Sequence, residues 1–134
     1  KVLAGLRAAK LPGVRFAGVK FRPKRPGDEK YPNTTVAGIR LTVTDRATYD
    51  PTATAVTMMA VIRAVHPSKL TWTPGQFDRL AGNSALRLAL SGGAAPGAAM
   101  EGWPAELQEF VIRSHPALIY PRLRGLPASP LPRP

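Results

Sequence analysis

The chain has 134 residues, 44% of them hydrophobic, which is enough for one modest core but not for two domains each able to bury its own. It has no cysteine, which excludes disulfides and thiolate metal sites while leaving the compartment open, and no apolar run long enough for a membrane-spanning helix. A formal net charge of +11, with a pI near 11.1, favours polyanionic partners such as nucleic acid, anionic lipid or cell-wall polymer.

The start at Lys1 shows neither an initiator Met nor a signal pattern, so the chain reads as a fragment of a longer protein. Basic residues are densest before position 31, where Lys1, Arg7, Lys10, Arg15, Lys20, Arg22, Lys24, Arg25 and Lys30 face only Asp28 and Glu29. Nucleic-acid binding wants aromatic stacking platforms among the charges, and only Phe16, Phe21 and Tyr31 are available, the first two at inward strand positions. A solvated basic rim is the simpler reading, and nucleic acid is not favoured as a partner.

Val2 to Ala9 has helical composition with Val2, Leu3 and Leu6 on one side, and Leu11-Pro12-Gly13 stops it. Val14 to Phe21 alternates as a strand, with Gly18 slipping the period as a bulge would. Arg22 to Asn33 mixes Pro23, Pro26, Gly27 and Pro32 with charges, which is loop chemistry and a place where function often resides. Val36 to Thr44 is a second, β-branched strand that pairs with the first.

Asp50-Pro51 predicts a helix start, with the carboxylate accepting orphan N–H groups and proline where its missing donor costs nothing. That helix runs to about Val65, is apolar through Val56, Met58, Met59, Ala60 and Ile62, and ends at His66-Pro67. Trp72 lies in a short apolar segment broken by Pro74-Gly75. One helical turn follows at Phe77 to Leu80, then a helix capped by Ser84, burying Leu86 and Leu90 and ended by Gly92-Gly93. The Gly92 to Gly97 run reads as a flexible linker.

Trp103 to Ser114 predicts an amphipathic helix with Leu107, Phe110 and Val111 on one face and Glu106, Glu109 and Arg113 on the other. Leu118-Ile119-Tyr120 is either a last short strand or a docking tail. Residues 121–134 contain five prolines and too little apolar surface to order themselves. The sum is an α+β fold, a small sheet covered by about four helices in one domain over residues 1–120, followed by a disordered Pro-rich tail over 121–134.

No nucleophile elbow, phosphate-binding lysine loop or paired-histidine zinc pattern occurs, and His66 and His115 each precede a proline at a helix end, so no metal or cofactor is expected. Acid–base hydrolysis usually needs two carboxyl groups placed across a scissile bond, one with raised pKa. Of the eight acids, Asp28 and Glu29 sit in a loop, Asp50 is a cap, and Glu106 and Glu109 lie on an outer helix face. Asp45-Arg46, where a strand leaves the sheet, and Asp78-Arg79, before a Gly-ended turn, are the better candidates. Each pair either lines a pocket or braces its own loop. Trp72 and Trp103 carry the same ambiguity between stacking on a ligand ring and core anchoring, with the core favoured for Trp103.

The ordered blocks Leu11-Pro12-Gly13-Val14-Arg15-Phe16, Phe21-Arg22-Pro23, Gly38-Ile39-Arg40-Leu41, Val43-Thr44-Asp45-Arg46, Tyr49-Asp50-Pro51, Phe77-Asp78-Arg79-Leu80-Ala81-Gly82, Trp103 and Tyr120 together resemble the C-terminal part of the exo-β-N-acetylmuramidase NamZ family. The resemblance implies a peptidoglycan-processing glycoside hydrolase that releases terminal N-acetylmuramic acid from non-reducing ends. It implies a Rossmann-like N-terminal domain as partner, carrying the principal catalytic carboxylate, with the cleft between the two domains and peptidoglycan fragments as ligand.

On that basis the fragment alone is inactive, its setting is periplasmic or secreted, and Lys30, Asp45, Arg46, Asp78, Arg79 and Tyr120 are the substrate-cleft candidates. The loop Lys24 to Tyr31 departs from the Thr-Phe-Ser-Lys type segment of many members. The alternative is a non-catalytic basic module that binds anionic cell-wall polymer or nucleic acid through its N-terminal region.

Overall fold

β1 (Val14–Phe21) and β2 (Val36–Val43) pair antiparallel in unbroken register, from Val14 opposite Val43 to Phe21 opposite Val36. The computed structural model describes residues 1–120, and the Pro-rich stretch 121–134 lies outside the described residues. The bulge expected at Gly18 does not form, since every residue of β1 has a single partner. Gly18 instead lies under Leu3 of α1 (Val2–Ala8), whose Cδ2 would stand 3.5 Å from a β-carbon at that position. Val19 and Phe21 therefore sit on the face opposite Phe16, where the Phe21 ring covers Gly38.

A two-stranded ribbon is marginal alone and needs a helix against it. Here α1 packs on β1 and on α2 (Pro51–Val65), burying Leu6 and Phe16. Gly5 lets the two helices approach: a β-carbon there would meet Val61 Cγ1 at 2.8 Å. α2 begins as its sequence predicts, with Pro51 in the first turn and Asp50 Oδ1 accepting the Ala53 N–H at 2.9 Å. Its most buried positions are Thr54, Val56 and Thr57, whereas Met58, Met59, Ala60 and Ile62 are half-buried. Thr54 is satisfied within the helix, donating its hydroxyl to the Asp50 carbonyl at 2.7 Å.

Three readings of the second half change. Pro74-Gly75 is not a break, because Pro74 opens α3 (Pro74–Ala81), a position where proline's fixed φ is already helical. Gly82 ends that helix in the left-handed conformation, φ 86°. Ser84 precedes α4 (Ala85–Ser91), but the side chain that serves this turn is Asn83, whose Oδ1 accepts the Ala85 N–H at 2.9 Å. The run expected as a linker holds α5 (Pro96–Ala99), which packs on both α2 and α4; small side chains are what allow so short a helix to approach both. Leu86 and Leu90 are buried as expected, and Trp72 meets Phe77 edge to face at 4.8 Å while its indole N–H finds no acceptor among the described residues.

Contacts group the chain into two units, Lys1–Ala99 and a second beginning at Met100. In the second, α6 (Trp103–Ser114) has the predicted bounds. Trp103 and Val111 are half-buried, but Leu107 and Phe110 remain more than half exposed, at 56% and 53%. A 3-10 turn, His115–Ala117, follows, and Leu118 to Tyr120 form no strand. The fold is α+β, with six α-helices and one sheet among the described residues.

Candidate functional site

Asp45 lies at the first turn after β2, and its position is set by the backbone. The carbonyl oxygen of Gly13, a residue at φ 67°, accepts from the N–H groups of Thr44 and Asp45, at 2.8 and 3.3 Å. A β-carbon on Gly13 would stand 2.5 Å from the Asp45 carbonyl oxygen, so only glycine fits. Both carboxylate oxygens are engaged locally: Oδ1 accepts the Ala47 N–H at 2.9 Å and Oδ2 the Thr48 hydroxyl at 2.8 Å. These bonds favour the charged form and hold the Asp45 carboxyl below the usual carboxylate range. Arg46 is exposed.

Asp78, on α3, reaches across to α4. Arg87 Nε and Nη2 donate to its two oxygens at 2.7 and 2.8 Å, a bidentate pair with side-chain exposures of only 18% for Arg87 and 24% for Asp78. The guanidinium hydrogen bond depresses the Asp78 pKa and raises that of Arg87. Arg79, next in sequence, is exposed and takes no part. The residue missed from sequence is thus Arg87, nine positions on and beyond a Gly-ended turn, where no local period points to it.

Lys30 sits in the loop between the strands, its backbone N–H donating to Asp28 Oδ1 at 3.2 Å. The neck of that loop is closed by Arg22, which donates to the Asn33 carbonyl, and by the Asn33 N–H, which donates to the Pro23 carbonyl at 2.7 Å. Glu29, Tyr31 and Asn33 all hold positive φ, at 57°, 53° and 54°, a strained conformation for residues with side chains. Tyr120 is 80% exposed. Among the described residues no hydrogen bond or ion pair joins any two of Lys30, Asp45, Arg46, Asp78, Arg79 and Tyr120.

The concave places lie elsewhere. One, of ≈ 460 Å³, is lined by small residues such as Ala60, Ala64, Gly93 and Ala95 where α2, α4 and α5 meet. Its Arg63 is already spent on the carbonyls of Pro67 and Ser91. The other, of ≈ 550 Å³, lies between the end of α1 and β1 and is lined by Arg7, Lys10 and Arg15 over an apolar floor. None of the six expected residues lines either. The described residues hold no cluster of three potential metal ligands and no helix long and apolar enough to cross a membrane.

A crystal structure of a DUF1343 family protein from Bacteroides fragilis NCTC 9343 superposes with a TM-score of 0.73 at 16% identity, covering 90% of this chain and 32% of that one; the likeness is one of fold. The peptidoglycan β-N-acetylmuramidase NamZ of Bacillus subtilis (strain 168) is 29% identical over 116 residues, which is 86% of this chain but only 27% of that protein. The family model for the C-terminal part of exo-β-N-acetylmuramidase NamZ matches residues 1–120, and the chain belongs to that family.

Proposed function

We propose that this chain is the non-catalytic wall of a two-domain peptidoglycan glycosidase that removes terminal N-acetylmuramic acid from non-reducing ends. The reactive carboxylate belongs to an N-terminal, Rossmann-like domain. The reading carries with it a periplasmic or secreted setting and a requirement for that domain in turnover. The observation that supports it most is the state of the two best-placed acids: both oxygens of Asp45 are engaged by its own turn and both of Asp78 by Arg87. Both are shifted down in pKa, the reverse of what a general acid at a glycosidic oxygen requires.

A carboxylate locked in structural bonds positions loops and does not protonate a leaving group. The chain can therefore shape a cleft without supplying its chemistry. The test is hydrolysis of a chromogenic β-N-acetylmuramide. This chain alone gives no turnover, and a longer protein that adds the remaining domain is active. Asp45→Asn and Asp78→Asn in the longer protein reduce activity by well under the hundredfold or more expected of a lost general acid or base. Turnover by the 134-residue chain, or a folded longer protein that is inert, removes this reading.

A further inference from the structure

We infer that the basic concavity between α1 and β1 is a carboxylate subsite, and that the group it takes is the lactyl carboxylate that distinguishes N-acetylmuramic acid from N-acetylglucosamine. The inference rests on the peptidoglycan reading above and adds a site and a specificity to it.

Three cations, Arg7, Lys10 and Arg15, line one hollow of ≈ 550 Å³ with no acid among its lining residues. None of them meets a carboxylate among the described residues, and their one side-chain bond runs from Arg7 Nε to the Phe16 carbonyl at 3.1 Å. That bond pins the guanidinium stem and leaves both terminal nitrogens of Arg7 without a protein acceptor among the described residues. Like charges that border one hollow repel, and an anion between them relieves the repulsion. Lys10 is held at φ 47°, a left-handed position at the end of α1 that glycine or asparagine fills at less cost.

The strand edge adds donors. The Thr44 N–H donates to the Gly13 carbonyl, so odd-numbered residues of β1 turn their polar groups toward β2 and even-numbered ones turn them outward. The Phe16 carbonyl, taken by Arg7, agrees with this phase. The N–H groups of Val14 and Phe16 therefore open on the hollow's side of β1, where the sheet has no third strand. They are available to a carboxylate or a sugar hydroxyl.

The floor decides the ligand class. Leu6 and Phe16 are buried beneath it, at 1% and 4% exposure, and Leu11 and Val14 are half-buried at its side. A carboxylate carried on a methyl-bearing carbon satisfies both parts of this lining, cations and apolar wall together. Inorganic phosphate leaves the apolar part unused. Single-stranded nucleic acid binds by stacking its bases on exposed aromatic faces, and the one aromatic ring in this lining, Phe16, is buried. The volume suits one monosaccharide.

The experiment is an NMR titration of the isotopically labelled chain with N-acetylmuramic acid, N-acetylglucosamine, D-lactate and inorganic phosphate, at low and physiological salt. N-acetylmuramic acid is expected to shift the Val14 and Phe16 amides saturably, with lactate weaker and N-acetylglucosamine without effect. The variant K10A/R15A, which keeps the Arg7 bond to Phe16, weakens that binding tenfold or more. K24A/R25A removes equal charge from the inter-strand loop and changes it by less than twofold. Equal responses to the two amino sugars, phosphate binding as tightly as N-acetylmuramic acid, or equal losses in the two variants would overturn the inference. So would a DNA duplex that displaces the sugar.

The two proposals fail separately. A longer protein that cleaves the chromogenic muramide with its KM unchanged by K10A/R15A keeps the function and loses the subsite. An inert longer protein whose C-terminal part still binds N-acetylmuramic acid through these residues does the reverse.

Discussion

The dipeptide Asp-Arg occurs twice in this chain, at 45–46 and 78–79, and the two aspartates are held by different physics. Asp45 is fixed by uncharged donors two and three residues away, in a turn seated on the backbone of Gly13. Asp78 is fixed by a charge nine residues away on another helix. In neither case does the adjacent arginine take part, since Arg46 and Arg79 are both exposed. Adjacency along the chain therefore says little about pairing: what decides is where the next turn delivers a donor. The two regions respond to different perturbations, and that difference can be measured.

The largest effect is expected where each acid's scaffold is packed. Arg87 rides on α4, which is anchored by Leu90 at 1% exposure, and Leu90→Ala should cost about 2–5 kcal/mol in urea denaturation. Leu107→Ala on α6, where the side chain is 56% exposed, should stay within about 0.5 kcal/mol. Equal costs at the two sites would mean that the leucine at 107 is covered in solution.

The Asp45 turn has no such anchor, and its weak point is the backbone. Gly13→Ala combines a left-handed φ with a β-carbon 2.5 Å from the Asp45 carbonyl oxygen, and should cost roughly 2–4 kcal/mol. Gly82→Ala has a similar φ but nothing within 4 Å, so it should show the conformational part alone, about 1–2 kcal/mol. Thermal unfolding of both variants separates clash from strain; identical losses would show that the Asp45 turn moves aside.

The elements with strong periodic or capping signals were legible from sequence. Asp50-Pro51 starts α2, and the stripe of Leu107, Phe110 and Val111 marks α6, whose bounds Trp103–Ser114 are those expected. Positions whose meaning depends on a neighbour were not. Gly18 reads as a bulge because a sequence does not show Leu3 lying over it. The run from Gly92 to Gly97 reads as a linker because small residues signal mobility locally, whereas here they allow α5 to approach α2 and α4. The candidate acids were found by type and place, but Arg87 lies outside any local pattern. The basic N-terminal region reads as a solvated rim, and three of its charges share one hollow only because Leu11-Pro12-Gly13 folds α1 back on β1.

Salt separates the two acids further. Asp78→Asn replaces one oxygen that accepts from Arg87 with a donor, so part of its cost is electrostatic and should shrink as ionic strength rises. Asp45→Asn keeps an acceptor for the Ala47 N–H, and its partners carry no charge, so its smaller cost should be nearly the same at low and high salt. A salt-independent Asp78→Asn penalty would argue that Arg87 and Asp78 are apart in solution.

The smallest and most diagnostic difference lies in acid. Both carboxyls have folded-state pKa values below their ordinary value, so the unfolded chain binds protons first as pH falls. Their contributions are fully present above about pH 4 and are lost as pH drops through each depressed folded value. Removing either carboxylate should therefore flatten the stability profile below about pH 4. Added salt should shrink the slope that belongs to Asp78, whose partner is a guanidinium, and leave the slope that belongs to Asp45, whose partners are an amide and a hydroxyl. An Asp45→Asn variant that keeps the full wild-type slope would place the Asp45 turn open in water, and the distinction between a locally and a remotely held acid would fall with it.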